Sequence, residues 1–385
     1  MSEYRQHIEE LLERAESIPH GPSQIAICEE AVRLADRHQD VCAGFQARTQ
    51  YVTATMFAGQ PEKMLVAYSW LLSTYDRDPE SYDAFELLWQ YKWVVAALPD
   101  FPQISRQQIE EMLSDMQRRY EEVGASLHAV CNKRRAAYLK MGDRAGAEAA
   151  HQELARHRRD ELSDCKACEM DEEVEFAFFV GDLERGVQRA KPILRGEFSC
   201  GEVPHLTYAQ LLRPLLQLGR GGEAMQYHLT GYRMISANPV EFIAQIAEHI
   251  EFLTLTDNLS RAGKLLEKHV SLAMDTMALS WRFDMYRAAK LFLERLADKG
   301  HQTLKIRLPE FFPLYNAMNA YRISELSDWF TQRVRELAQR FDERNGNDWY
   351  SKKVANVARW RERITPIPLP TRESDSAPPA SRWEK

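Results

Sequence analysis

The chain has 385 residues, of which 44% are hydrophobic and 28% are charged, so it can bury a large core and is not disordered throughout. Its 50 basic and 57 acidic side chains give a net charge of −7, which does not attract nucleic acid or anionic lipid. No apolar run approaches the roughly 18 residues of a membrane span, and the charged start MSEYRQHIEELLERAES lacks a signal-peptide core. We therefore expect a cytoplasmic protein with neither a membrane nor nucleic acid as its partner.

Apolar residues recur at helical spacing along the chain, and the alternating runs typical of strands are rare. Helix-breaking residues follow one another every 38 to 42 residues, at Gly21-Pro22, Gly59-Gln60-Pro61, Asp100-Phe101-Pro102, Gly142-Asp143, Gly181-Asp182, Gly219-Arg220 and Asp257-Asn258. Most of these breakers precede, by five residues, a small residue that lets a second helix pack closely on the first: Ala26, Ala147, Gly186, Ala224 and Ala262. Each period therefore predicts a hairpin of two helices.

Seven such hairpins are predicted in chain order, at about residues 3–38, 40–76, 80–122, 124–158, 170–195, 205–236 and 240–273. Together they form a repeat array over residues 1–274, with a candidate zinc-binding insertion at 159–205. A helical pattern over 275–363 predicts a C-terminal cap. The tail, 364–385, is rich in Pro, Ser and charge and is expected to be disordered.

The inter-helix sequence Gly-Asp-x-x-x-Ala, seen at Gly142, Asp143 and Ala147, resembles that of the tetratricopeptide repeat family. Pro79 and Pro239, each after Asp or Asn at the end of a second helix, add to the resemblance, although the family period is about 34 residues. The resemblance implies an all-α fold, a right-handed solenoid of helical hairpins, whose concave groove binds an extended peptide or a partner helix.

The six cysteines fall into two groups. Three of them stand singly in helix patterns and are interpreted as packing residues: Cys28, Cys42 and Cys131. The other three are Cys165, Cys168 and Cys200. With His205 they form a pattern of two parts, C-x2-C and C-x4-H, separated by 31 residues. This spacing suits a tetrahedral zinc ion, and both halves fall in loops at equivalent ends of one hairpin. The four side chains are therefore predicted to meet across that hairpin.

Four protein ligands would leave no open position for water, so the predicted zinc is structural rather than catalytic. The identity of the fourth ligand stays open between His205 and the alternatives His157, Asp164, Glu197 and Glu202. Two other interpretations compete with zinc. The cysteines could be ordinary reduced loop residues, or Cys165 and Cys168 could form a redox pair, although the strand-helix setting of thioredoxin-like proteins is absent.

No phosphate-binding loop, His-Glu-x-x-His sequence or Gly-x-Ser-x-Gly elbow occurs in the chain, so we expect a protein that is not an enzyme. The C-terminal helices mix basic and aromatic residues that could contact RNA or an acidic protein: Arg333, Arg335, Arg340, Arg344, Lys352, Lys353, Arg359, Arg361, Arg363, Trp349, Tyr350 and Trp360. Acidic residues between them favour a solvated helix face.

In the repeat family the groove is lined by the first helix of each hairpin. The corresponding positions here, and thus the candidate partner-binding residues, are Gln50, Thr53, Tyr91, Lys133, Glu172, Glu175, Gln210, Arg213, Glu248 and Glu251. Most of the later positions are acidic, so a partner should be basic where it meets the fifth to seventh hairpins.

We therefore expect a scaffold or adaptor that binds another protein or an extended peptide. Two alternatives are a bacterial intracellular peptide-sensing regulator that inhibits a partner protein, and an enzyme whose site the sequence does not reveal.

Overall fold

The computed structural model describes residues 2–370. Over this range the chain forms 17 α-helices and a single two-stranded sheet, which confirms the all-α fold class. It divides into two compact units, Met1–Ser163 (unit 1) and Asp164–Lys385 (unit 2). No helix within residues 2–370 combines the length and the apolar character needed to cross a bilayer.

Unit 1 consists of helical hairpins joined by short turns. Its helices are α1 (Glu3–Glu16), α2 (Pro22–Arg37), α3 (Val41–Phe57), α4 (Pro61–Arg77), α5 (Ala84–Ala97), α6 (Arg106–Glu122), α7 (His128–Met141) and α8 (Arg144–Leu154). Consecutive helices pack in pairs, and the first helices α1, α3, α5 and α7 contact one another in order. These bounds agree closely with the first four predicted hairpins.

Unit 2 continues the pattern with longer helices near its end. Its elements are α9 (Lys166–Phe179), α10 (Leu183–Leu194), α11 (His205–Gln217), α12 (Gly221–Ile235), α13 (Ile243–Leu255), α14 (Leu259–Asp275), α15 (Leu279–Asp298), β1 (Thr303–Lys305), β2 (Ala320–Arg322), α16 (Ile323–Asn345) and α17 (Trp349–Arg361). The first helices α9, α11, α13 and α15 again contact one another in order. The strands pair antiparallel, with Leu304 opposite Tyr321.

The predicted C-terminal cap is continuous with the last hairpins. Ile250 of α13, Phe283 and Phe292 of α15, and Phe330 of α16 belong to one hydrophobic core and are almost completely buried. Helices α13 to α16 share this core, so the last predicted hairpin and the predicted cap over 275–363 lie in one compact unit, which begins after Ser163.

The repeated Gly-Asp sequence has a simple conformational basis. Gly142 ends α7 with a left-handed backbone (φ 72°), and the Asp143 side chain then caps α8 by accepting the N–H of Gly146. Such a φ favours glycine, and an aspartate is a preferred N-cap. Gly181 and Asp182 repeat this arrangement between α9 and α10.

The small residues after the breakers allow close helix packing at four of the five predicted positions. Ala147, Ala224 and Ala262 are fully buried, and a Cβ atom on Gly186 would lie only 2.3 Å from the ring of Phe178. The prediction for Ala26 is wrong, because the buried stripe of α2 includes Ile25, Cys28 and Ala31 and leaves Ala26 exposed.

The beginning of the tail is held against unit 2. The N–H of Thr365 donates to the carbonyl of Leu255 (2.9 Å), and the N–H of Ile367 donates to that of Thr256 (3.1 Å). Ile367 also packs against the core that contains Leu215. These contacts order a stretch that we expected to be disordered, and the remainder of that tail, 371–385, lies outside the described residues.

Candidate metal centre and first-helix face

Three sulfur atoms converge in unit 2. Those of Cys165, Cys168 and Cys200 all lie within 4.8 Å of one another, and the Cys168 and Cys200 sulfurs are 3.4 Å apart. A tetrahedral zinc ion bound about 2.3 Å from each sulfur would hold the sulfurs roughly 3.8 Å apart. The three cysteines can therefore bind a metal ion, and the predicted convergence across one hairpin is confirmed for them.

Local structure explains how these cysteines meet. Cys165 is the N-cap of α9, and its sulfur accepts the N–H of Cys168 (3.4 Å), which places both thiols in the first turn. Cys200 lies in the turn between α10 and α11, where its own N–H donates to the carbonyl of Val203 (2.9 Å). A small core of Ala167, Ile193 and Val203 packs this turn against α9. The sulfur cluster is thus at the edge of a small hydrophobic core.

Hydrogen bonds favour a thiolate at Cys200. The thiol of Cys168 donates to it, and so do the backbone N–H groups of Glu202 and Val203, which together hold the pKa of Cys200 well below its usual range. The hydrogen bond donated to Cys200, together with burial, raises the pKa of Cys168. Because the thiolate is the form that binds metal, Cys200 is already prepared as a ligand.

One acidic side chain near the cluster is held in its neutral form. Burial raises the pKa of Glu241 to about 8, and the neighbouring charges of Glu202 and Cys200 act in the same direction. A divalent cation bound nearby would lower this pKa and favour the carboxylate.

The structure does not bring His205 into the sulfur group. His205 is the first residue of α11, and its ring stacks on Phe242 with the centroids 5.3 Å apart. Burial lowers its pKa, and its Nδ1 atom is buried without a hydrogen-bond partner among residues 2–370. The structure thus groups three of the four predicted ligands, while the ring of the fourth, His205, packs against an aromatic side chain.

None of the alternative fourth ligands belongs to the group of sulfurs either. His157 lies in unit 1 and contacts Glu153, with Nε2 and Oε1 3.3 Å apart. Glu197 pairs with Arg195 (2.6 Å). Asp164 and Glu202 are close to the cysteines along the chain but contribute no atom to the 4.8 Å group.

The single cysteines behave differently from the cluster. Cys28 and Cys131 are buried, as the packing interpretation requires, and burial raises the pKa of Cys28 to about 11. Cys42 is exposed and therefore is not a packing residue. It provides a natural control for the clustered thiols.

Several predicted groove residues are not accessible. Tyr91 is completely buried and its hydroxyl donates to Asp115 (2.8 Å), and Lys133 is also buried. Glu251 is buried too, in an ion pair with Arg287 whose Nε and Oε1 atoms are 2.9 Å apart. Helical rotation places these side chains inside the array, so we correct our expectation that they line an open groove.

The other candidates are at least partly accessible in their own units. Glu175 is exposed, and the half-buried ones are Gln50, Thr53, Glu172, Gln210, Arg213 and Glu248. Gln50 bonds Glu16 (2.5 Å), Thr53 accepts from Gln90 (3.2 Å), and Gln210 bonds the buried Asp171 (2.6 Å).

In unit 2 we call one surface the first-helix face. It is formed by the predicted positions Glu175, Arg213 and Glu248 of α9, α11 and α13, together with Asp284 and Arg287 of α15. Helix α17 lies on this face. Trp360 of α17 stacks under the guanidinium groups of Arg213 (4.6 Å) and Arg287 (5.4 Å), and Trp349 packs on Phe179 of α9 (5.2 Å). The face is therefore occupied by the chain itself.

Charge pairing extends along the same contact. Lys353 of α17 lies among Asp284, Glu175, Arg287 and Arg213, and burial lowers its pKa. Arg361 pairs with Glu294 of α15 (3.3 Å). We expected Lys353 and Trp360 to lie on a solvated helix face. The apolar positions Tyr350 and Val357, both buried, were the available signal that α17 is packed.

No protein-family model matches the chain, and no curated protein is significantly similar to it in sequence.

Proposed function

We propose that the protein is a non-enzymatic scaffold that binds a helical segment of a partner protein on the first-helix face, and that a structural zinc ion stabilises unit 2. The resemblance to tetratricopeptide repeats agrees with this proposal. The observation that carries it is the seating of α17 on the face, because this helix is an internal example of the ligand the face accepts.

The contacts of α17 define the chemistry of the partner. Cation–π contacts from Arg213 and Arg287 surround Trp360, while Lys353 meets the carboxylates of Asp284 and Glu175. Interfaces take most of their energy from aromatic and arginine anchors of this kind. A partner segment should therefore be an amphipathic helix with tryptophan and lysine at the spacing found in α17.

Binding of such a partner requires that α17 leave the face. We test this with a labelled synthetic peptide of residues 346–370 and the full-length protein carrying Lys353→Glu. Lys353 faces the carboxylates of Asp284, Glu175 and Glu251, and the guanidinium groups of Arg287 and Arg213 are also near it. A carboxylate in its place turns three attractions into repulsions against two in the opposite sense, so the substitution should release the protein's own α17 and increase peptide affinity at least about tenfold. The matched control is Lys352→Glu, since Lys352 is exposed and pairs only with Asp348 in the structure.

Fluorescence anisotropy gives the affinities, and hydrogen exchange of α17 reports its release. Equal, weak peptide binding by the wild type and both variants, with α17 released in Lys353→Glu, would contradict the proposed function.

Zinc is the metal that fits the donor set best, because Cys165, Cys168 and Cys200 offer soft thiolates in the spacing of structural zinc sites. With three protein ligands, the fourth position falls to water or to a small reorientation of His205. Bridging α9 and the turn before α11, the ion would reinforce the small core around Val203.

A further inference from the structure

The first-helix face is covered by α17, but a second surface of unit 2 is open to solvent among the described residues. It is a cleft of about 340 Å³ between α15, α16 and the loop that joins β1 to β2. Arg282, Tyr286, Phe311, Trp329, Arg333 and Arg340 line it. None of these residues belongs to the first-helix face, so the cleft and that face are separate surfaces.

Apolar side chains are unusually exposed along the loop beside this cleft. Phe311 is 59% exposed and Met318 is 81% exposed, and Leu314 and Tyr315 between them are also open to solvent. A soluble domain rarely leaves several large apolar residues uncovered on one segment unless that segment contacts another molecule. Phe312, in contrast, is buried against Trp329 and anchors the loop.

The polar lining of the cleft is basic. It contains three arginines and one glutamate, Glu336, which pairs with Arg333 (2.8 Å). Arg282 is fixed by donating to the carbonyls of Ala273, Met274 and Thr276 at the end of α14. Arg340 is exposed and forms no ion pair with any residue in the described range, so one cationic group at the rim is free for an anionic ligand.

We propose that this cleft binds an acidic peptide segment of another protein through an apolar anchor residue. The anchor, a leucine or an aromatic side chain, packs between Phe311 and Trp329, and the peptide carboxylates meet Arg340 and Arg333. Exposed arginines and aromatic residues at a concave site are the typical composition of interface centres. The positive rim selects acidic segments and excludes basic ones such as α17.

The contacts of Trp329 favour a protein ligand over RNA. Phe312, Phe330 and Tyr286 surround its ring, with their centroids 4.7, 4.9 and 5.5 Å away. Stacking a nucleobase requires a whole free aromatic face, whereas an apolar anchor needs only the edge of the Trp329 ring and the exposed ring of Phe311. An RNA ligand would also leave Phe311, Leu314 and Met318 uncovered. An acidic amphipathic peptide covers both the arginines and the apolar loop.

The proposal is tested by panning a displayed library of random dodecapeptides on the full-length protein and measuring the enriched peptides by fluorescence anisotropy. Enriched sequences should combine Asp or Glu with Leu, Phe or Trp. Phe311→Ser and Arg340→Glu should each weaken their binding at least about tenfold, and added salt should weaken it in the wild type.

The matched control is Arg335→Glu, because Arg335 is exposed on α16 but does not line the cleft. The affinity of this variant for the enriched peptides should stay within about twofold of wild type. Circular dichroism and thermal melts check that all three variants are folded. Three results would overturn the proposal: enrichment of basic sequences whose binding is lost in Phe311→Ser, failure to enrich any sequence, or equal effects of Arg335→Glu and Arg340→Glu. Oligouridine binding that is lost in Arg340→Glu would overturn it as well. Since the cleft and the first-helix face are distinct surfaces, this outcome is independent of the Lys353→Glu experiment.

Discussion

Individual sulfur atoms are the smallest features on which the proposed function depends. Replacing Cys168 by serine removes a thiol whose sulfur is 3.4 Å from that of Cys200. We expect Cys168→Ser to lose its zinc and to lower the melting temperature of unit 2 by about 4 °C or more, because metal binding stabilises the folded state. Elemental analysis and calorimetry measure both effects.

The control for this substitution is Cys42→Ser, since Cys42 is exposed and stands apart from the clustered thiols. It should keep the wild-type zinc content and melting temperature. A Cys168→Ser protein with full zinc content would show that the three thiols do not bind the ion.

The role of His205 can be tested separately. Its ring stacks on Phe242 and lies outside the sulfur group, so we expect His205→Ala to retain about one zinc per chain while losing some stability from the missing ring contact. Loss of zinc comparable to that in Cys168→Ser would instead identify His205 as the fourth ligand.

At the scale of helices, the spacing within a hairpin depends on small residues. A Cβ atom on Gly186 of α10 would lie 2.3 Å from the Phe178 ring of α9. Gly186→Ala should therefore destabilise unit 2 by about 1–3 kcal/mol, despite the better helix propensity of alanine. Urea unfolding measures this change. Gly222→Ala is the control, because nothing lies within 4 Å of a Cβ there, and it should be neutral or stabilising.

A buried histidine pair links α12 and α13 and makes stability depend on pH. The Nδ1 atoms of His228 and His249 are 2.9 Å apart, and burial lowers the pKa of His228 to about 3 and that of His249 well below its usual value. Both rings are thus neutral in the folded protein. The stability that the two neutral rings contribute is fully present above about pH 6.5, which is the pKa of histidine in the unfolded chain. It is lost as the pH falls from there toward the lower pKa of the folded state.

Acidification from about pH 7.5 to about pH 5.5 should therefore lower the free energy of unfolding through these two histidines. His228→Gln removes one titrating group, so the acid-induced loss should be about 1.4 kcal/mol smaller than in the wild type, whatever its effect at neutral pH. His7→Gln, at an exposed histidine, is the matched control substitution. An unchanged difference in His228→Gln would mean that the ring does not titrate on unfolding.

At the scale of the whole molecule, the metal site belongs to only one of the two compact units. Removal of zinc by a chelator should therefore reduce the hydrogen-exchange protection of α9, α10 and the start of α11, and leave α1 to α7 protected. The physical reason is that the proposed ion would stabilise only the small core around Val203, whereas unit 1 has its own core around Tyr68 and Tyr91. Equal loss of protection in both units would contradict a local structural role.

Much of this organisation could be read from the sequence because its causes are local. A left-handed glycine followed by a capping aspartate ends one helix and begins the next, so Gly142-Asp143 and Gly181-Asp182 mark turns without reference to distant residues. Helical periodicity then determines the all-α class. The paired spacing of Cys165 and Cys168 on one turn likewise predicts two neighbouring ligands.

Other features were decided only when the helices packed. The rotation of α5, α7 and α13 about their axes buried Tyr91, Lys133 and Glu251. A helical sequence pattern predicts which residues face inward only to within one or two positions. The ring of His205 turned to Phe242 because burying an aromatic face is favourable, although its spacing suits zinc.

The sequence by itself therefore determined the helices, their turns and the three convergent thiols. The tertiary structure alone decided that α17, separated from α9 by more than a hundred residues, covers the first-helix face, because cation–π and ion-pair partners distant in sequence leave no periodic signal.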